Sequence, residues 1–142
     1  MLKKLPFEIK IAKQVYWFYW EKYGKYQKKS ELYIETHIAD HCNLNCAYCS
    51  HYSPLVKEKF VDTVQYENDF KRLSELGADK VNFLRLMGGE PLLNDKLPAL
   101  TRIARECFPK SRIQIVTNGV LLPKQGDEFW DVCSKYNIEI SI

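Results

Sequence analysis

Three cysteines within eight residues, Cys42-Asn43-Leu44-Asn45-Cys46-Ala47-Tyr48-Cys49, carry the strongest chemical signal in this 142-residue chain. Gaps of three and then two residues let a short loop curl and turn three sulfurs toward one centre, which a regular helix or strand does not allow. A structural zinc site is closed by four protein ligands, so this trio would need His41 or His51 as the fourth. A four-iron cluster held by three cysteines keeps one iron free for a further ligand, a catalytic rather than structural design. On spacing alone, iron–sulfur, zinc and buried free thiols all stay open.

The surrounding elements have to present that loop. Residues 32–39 are rich in β-branched and aromatic types and read as a strand feeding the first cysteine. After a loop containing Pro54, Asp62 and Gln65 form an N-cap pair for a helix that ends near Leu76, with Gly77 as its stop. Residues 81–86 read as a second strand, running into Met87-Gly88-Gly89-Glu90-Pro91. Asn94 or Asp95 is expected to cap a second helix whose apolar face is Leu97, Leu100, Ile103, Ala104 and Cys107. Residues 112–116 form a third strand with Thr117-Asn118-Gly119 at its exit. A third helix is expected over 127–136, with Phe129, Val132, Cys133 and Tyr136 inward, and a fourth strand over 138–142.

Strand, loop and helix in repetition predict an α/β fold with a parallel sheet and right-handed crossovers. In such folds the acting residues gather at the carboxyl ends of the strands. The thiol loop, the double glycine with its glutamate and the Thr-Asn-Gly exit each follow a strand, so all three should meet on one rim. Cys107 and Cys133 fall on apolar helix stripes and read as small core residues.

Composition bounds the rest. With 46% apolar and 27% charged residues the chain is ordinary for a globular domain. Five unevenly spaced cysteines suit a reduced compartment better than a disulfide framework, and the charged amino terminus lacks the apolar run of a signal peptide. Both point to the cytoplasm, and no membrane span is expected. The net charge of +3 is uneven, since residues 1–30 carry eight lysines against two glutamates. That leader sets Phe7, Ile11, Val15 and Phe18 at helical spacing among tyrosines and tryptophans. It is expected to be a basic aromatic helix or extension packed on the domain rather than a nucleic-acid surface.

The cysteine triplet with an aromatic before its last member, followed by Gly88-Gly89-Glu90-Pro91 at the end of the next strand, resembles the radical S-adenosylmethionine (radical SAM) superfamily over residues 31–142. The block from Cys49-Ser50-His51-Tyr52-Ser53-Pro54-Leu55 to Asn118 is similar to uncharacterised bacterial members with a single cluster. The resemblance implies a 4Fe-4S cluster on Cys42, Cys46 and Cys49, with S-adenosylmethionine on the fourth iron. It implies reductive cleavage to a 5′-deoxyadenosyl radical that abstracts hydrogen from a substrate. It further implies that Tyr48 lies against adenine, the alternative for that ring being core packing. Gly88 and Gly89 would let the backbone approach the ligand, and Glu90 or nearby carbonyls would accept from its ammonium. Thr117 and Asn118 are weaker candidates, because Thr-Asn-Gly is also an ordinary strand exit. Ser141 would approach the ribose. The implied partners are a small-molecule or peptide substrate and a reductant such as flavodoxin or ferredoxin.

The same resemblance implies a partial (β/α)6 barrel, which needs roughly 190 residues when scaled from the eight-unit barrel. Three strand–helix units and a fourth strand are expected here, a core domain truncated at strand four. Such a piece could bind a cluster without turnover, or leave the strand-four edge open to self-association. A zinc-stabilised interaction module is the remaining alternative.

Overall fold

The computed structural model describes residues 32–77 and 81–142. The expected leader helix over residues 1–30 lies outside them. Strand β1 (Leu32–Ala39) leads into the thiol loop, followed by α1 (Thr63–Gly77), β2 (Val81–Gly88), α2 (Leu97–Cys107), β3 (Arg112–Val116), α3 (Asp127–Lys135) and β4 (Glu139–Ser141). All three strand pairings are parallel and the sheet order is β1-β2-β3-β4. This is the α/β arrangement that the alternating pattern predicts, because parallel neighbours need a crossover that the helices provide.

Strand alternation sorts the side chains into two faces. Ile38, Leu84, Leu86, Ile113 and Ile115 form the apolar face and pack with Tyr66 and Phe70 of α1, Leu97, Leu100 and Ala104 of α2, and Phe129 and Cys133 of α3. Each fully buried leucine or isoleucine contributes about 2 kcal/mol by leaving water. The opposite face carries Tyr33, Glu35, Arg85, Gln114, Arg112 and Glu139. Here Tyr33 donates its hydroxyl hydrogen to Glu35 at 2.6 Å, while Arg85 donates to Glu35 at 3.2 Å and to Gln114 at 2.9 Å. Among the described residues no helix covers this polar face.

Element ends differ from the sequence reading where tertiary hydrogen bonds intervene. Asp62 caps α1 as expected, its carboxylate accepting the Gln65 N–H at 2.8 Å, but the Gln65 side chain turns to Asp69 instead of back to the cap. Neither Asp95 nor Asn94 holds the N-cap position of α2, which is Lys96, although Asn94 Oδ1 accepts the Lys96 N–H at 2.9 Å. The buried Asn94 side chain donates to the Ile38 carbonyl at 3.1 Å and so straps the end of β1 to the segment after β2. The second strand runs on through Gly88, because Gly88 is still paired with Ala39.

Candidate functional site

The thiol loop is an excursion closed at its base. Asp40 N–H donates to Lys59 O at 3.0 Å and Val61 N–H to Ile38 O at 3.2 Å, so the returning chain lies against the end of β1. Two side chains reinforce the clamp: Lys59 pairs with Asp40 at 3.3 Å, and His41 Nδ1 accepts the Lys59 N–H at 3.2 Å. Within the excursion, Cys49 N–H donates to Cys46 O at 3.3 Å and Tyr52 N–H to Cys49 O at 3.2 Å. These consecutive turns place Cys46, Cys49, Tyr48, Tyr52 and Leu55 around an open concavity of about 480 Å³.

The exits of β2 and β3 close on this loop from the other side. Gly89 N–H donates to Ala39 O at 2.8 Å and Glu90 N–H to His41 O at 3.0 Å. The chains cross so closely that a Cβ on Gly88 would lie 2.1 Å from Ala39 O, and one on Gly89 2.1 Å from His41 O. The close approach these glycines permit is therefore to the chain that enters the cysteine loop. Gly88 also has φ +130°, a conformation that side chains resist.

Glu90 is fully buried and links the second exit to the third. Its Oε1 accepts the Leu92 N–H at 2.9 Å and the Thr117 hydroxyl at 2.7 Å, while Oε2 accepts the Asn118 N–H at 2.8 Å. Its oxygens are thus already engaged, which differs from the expectation of a carboxylate open to a ligand. Asn118 carries the link onward, donating from Nδ2 to Asn43 at 2.8 Å and to Cys42 Sγ at 3.6 Å. Ser141 stands beside them through its carbonyl, which accepts the Thr117 N–H at 2.9 Å, and its side chain is half-buried.

The cysteines divide by environment. Cys42 Sγ accepts from Leu44 N–H at 3.4 Å as well as from Asn118. The Ser53 N–H, with further donors from His51, the Ser53 hydroxyl and Tyr52, holds the Cys49 thiol below its ordinary value. Burial pushes Cys107 up and Cys133 up to about 11. Those two are thiols of the core, as the helix stripes predict, whereas Cys49 on the loop is drawn toward thiolate, the form that ligates metals.

Among the described residues no three cysteine, histidine, aspartate or glutamate side chains are gathered as a metal cage. The three sulfurs expected to converge are therefore not gathered in this structure, where Cys46 is exposed and Cys42 and Cys49 are half-buried. Neither histidine joins the trio in such a group. His41 is held by Lys59 and set edge-on to Phe60, while the His51 ring lies 5.0 Å from that of His37. The donor set nonetheless fits a thiolate-bound iron–sulfur group, since Cys42 Sγ receives hydrogen bonds from the Leu44 N–H and the Asn118 amide of the kind suited to negative sulfur. Tyr48 is 100% exposed, which excludes core packing for its ring and leaves it free at the mouth of the concavity. Asn43, Ser53 and Asn94 also shape the site. Nothing in their spacing marks them, because their roles arise from contacts between distant loops.

A parallel βα sheet with a cysteine loop, a glycine–glutamate exit and an asparagine exit on one rim defines the class of protein. The family model for the Radical SAM superfamily matches residues 36–142, and the chain belongs to that superfamily. Among curated relatives, GTP 3′,8-cyclase of Chlorobaculum tepidum is 35% identical over 95 residues, covering 67% of this chain and 28% of that protein. GTP 3′,8-cyclase of Petrotoga mobilis is 36% identical over 107 residues, covering 73% and 31%. The chain thus spans less than a third of the length of these two relatives. A solved structure of BtrN in complex with AdoMet and 2-DOIA superposes with a TM-score of 0.59 at 25% identity, over 75% of this chain and 43% of that one.

Proposed function

We propose that Cys42, Cys46 and Cys49 bind a 4Fe-4S cluster and that the adjoining rim binds S-adenosylmethionine. When bound, this pair supplies reductive cleavage of the sulfonium to a 5′-deoxyadenosyl radical, with an electron from flavodoxin, ferredoxin or a similar donor, for hydrogen abstraction from a substrate. The chain's residues do the positioning. The clamp at residues 38–41 and 59–61 holds the base of the thiol loop, and ligation supplies the remaining order in the sulfurs as the metal binds. Gly88 and Gly89 keep the rim narrow, and Glu90 acts through Thr117 and Asn118 because its own oxygens are committed. Tyr48 offers an exposed ring to adenine, and Ser141 offers a hydroxyl near the ribose.

The observation that carries this reading is Asn118, which joins β3 to both Glu90 and Cys42 and so brings three independent motifs to one place. The Radical SAM family match over residues 36–142 contains that rim, so the proposal carries over cofactor chemistry and leaves the substrate open as a small molecule or peptide. Five unpaired cysteines support a reduced, cytoplasmic setting, and no helix among the described residues is long and apolar enough to cross a membrane.

Anaerobic reconstitution with ferrous iron and sulfide should give about four irons per chain, lost in Cys42→Ala, Cys46→Ala and Cys49→Ala. Adding dithionite and S-adenosylmethionine should release 5′-deoxyadenosine. Cluster uptake without that product would reduce the proposal to an iron–sulfur-binding piece, and one zinc with no sulfide would replace it with an interaction module.

A further inference from the structure

Asn118 is fixed from two sides before it reaches the thiol loop. Its backbone N–H donates to the buried Glu90 at 2.8 Å, and its Oδ1 accepts the Val120 N–H at 3.0 Å, so that the side chain closes its own turn at the exit of β3. That second bond settles which way round the amide lies. Nδ2 therefore faces the loop with two hydrogens to give, one to Asn43 Oδ1 at 2.8 Å and one to Cys42 Sγ at 3.6 Å.

Cys42 uses these neighbours differently as a thiol and as a thiolate. As a thiol it donates to Asn43 Oδ1 at 3.7 Å while accepting from the Leu44 N–H at 3.4 Å and from Asn118. As a thiolate it has no hydrogen to give, and the Asn43 oxygen then presents lone pairs to negative sulfur. The Asn118 amide donates to both groups and offsets that repulsion, and its bond to sulfur strengthens once the sulfur carries charge. The Leu44 donor comes with the loop itself. The Asn118 donor is brought from a strand exit 76 residues further along the chain.

We propose that Asn118 is a positioning residue that sets the reduction potential of the iron–sulfur group through Cys42, its second amide hydrogen donating to that sulfur when the sulfur ligates iron. This role rests on the reading of Cys42 as a cluster ligand, and it gives the exit of β3 a part in the electron chemistry beyond shaping the rim. A donor aimed at a ligating sulfur favours the more negative, reduced state of the group and so raises its potential.

The test loads the full chain and its variants Asn118→Ser, Asn118→Thr and Asn43→Ala anaerobically with ferrous iron and sulfide. A redox titration is then followed by electron paramagnetic resonance without S-adenosylmethionine, so that a lost contact to that molecule cannot move the midpoint. Serine and threonine keep a side-chain oxygen able to close the turn on Val120, but they carry no amide and are too short to reach Cys42. Both variants should titrate at more negative potential than the parent. Asn43→Ala loses the same tie between the loop and the exit of β3, yet it keeps the donor to sulfur and removes the oxygen that faces it. Its midpoint should stay at or above that of the parent. An unchanged midpoint in either loaded Asn118 variant overturns the inference, as does a fall in Asn43→Ala as large as theirs, which marks a tie that only holds the loop. Loss of cluster uptake in both Asn118 variants overturns it as well, because the residue then governs binding rather than potential. Failure of the parent chain to take up iron and sulfide removes the cluster reading and this inference together, whereas a loaded parent with indifferent Asn118 variants removes the inference alone.

Discussion

Five cysteines of identical chemistry occupy three kinds of surroundings. Cys49 is drawn toward thiolate by the donors at Ser53 and His51, while desolvation holds Cys107 and Cys133 as thiols. Because the thiolate is the nucleophile, limiting iodoacetamide at neutral pH should label Cys49 before Cys107 and leave Cys133 last, with Cys133 slower than Cys49 by at least about tenfold. Peptide mass spectrometry over a time course checks the order, and early labelling of Cys133 would contradict it. Much of this division is readable from position, since three cysteines share a loop and the other two fall on apolar helix faces. The exposure of Tyr48 and the buried hydroxyl of Ser53 are not readable, because neighbouring residues in sequence carry no mark of a left-handed turn at Tyr52. Glu90 is half readable. Its place after a double glycine marks it as special, but its partners Thr117 and Asn118 come from a strand that follows 27 and 28 residues later.

Between neighbouring elements the decisive contacts are those that join strand exits to one another. A methyl group on Gly89 would meet His41 O at 2.1 Å, a backbone atom that cannot rotate away, whereas one on Gly126 would meet nothing within 4 Å. Gly89→Ala should therefore lose about 3 kcal/mol or more in urea unfolding and bind less iron, while Gly126→Ala stays within about 0.5 kcal/mol of the parent. Equal effects at the two positions would refute the crossing of the chains. Glu90→Ala strands three donors, Leu92 N–H, Thr117 Oγ1 and Asn118 N–H, and should cost about 3 kcal/mol. Since Asn118 also reaches Cys42, that variant should retain iron less well than its stability loss alone accounts for, measured as iron bound per folded chain. At this scale the sequence pattern recovers β1 and β3 with their observed ends and places α2 and α3 on their buried faces, while the buried face of α1, Tyr66 and Phe70, goes unread. Two ends differ through tertiary contacts: β2 continues because Gly88 still pairs with Ala39, and the Asn94 amide is shared between the Ile38 carbonyl and the N–H of Lys96, the residue that holds the N-cap position.

The sheet as a whole has one apolar face buried under helices and one polar face whose charges are matched across strands. Along the polar face, Tyr33 and Arg85 converge on Glu35, and Arg112 grips Glu139 through Nε at 2.6 Å and stacks over Phe83 at 4.9 Å. These pairs link β1 to β2 and β3 to β4, so the polar face adds cross-strand ties to those of the core. Both carboxyls sit below their ordinary range, Glu35 chiefly through the Tyr33 hydroxyl and Glu139 chiefly through Arg112. A carboxyl lowered in the folded state contributes stability that is fully present above its unfolded value, near 4.5, and is lost as pH falls through the lowered folded value. Because both pairs are solvent-exposed, the contribution is small and screened by salt. The double variant Glu35→Gln with Glu139→Gln should thus melt a few degrees below the parent at neutral pH and converge on it in acid, with the gap narrowing as salt is added. Melting curves collected from neutral pH down into the acid range decide it: a gap that persists at the acid end would mean that these side chains hold the strands together by packing rather than by charge.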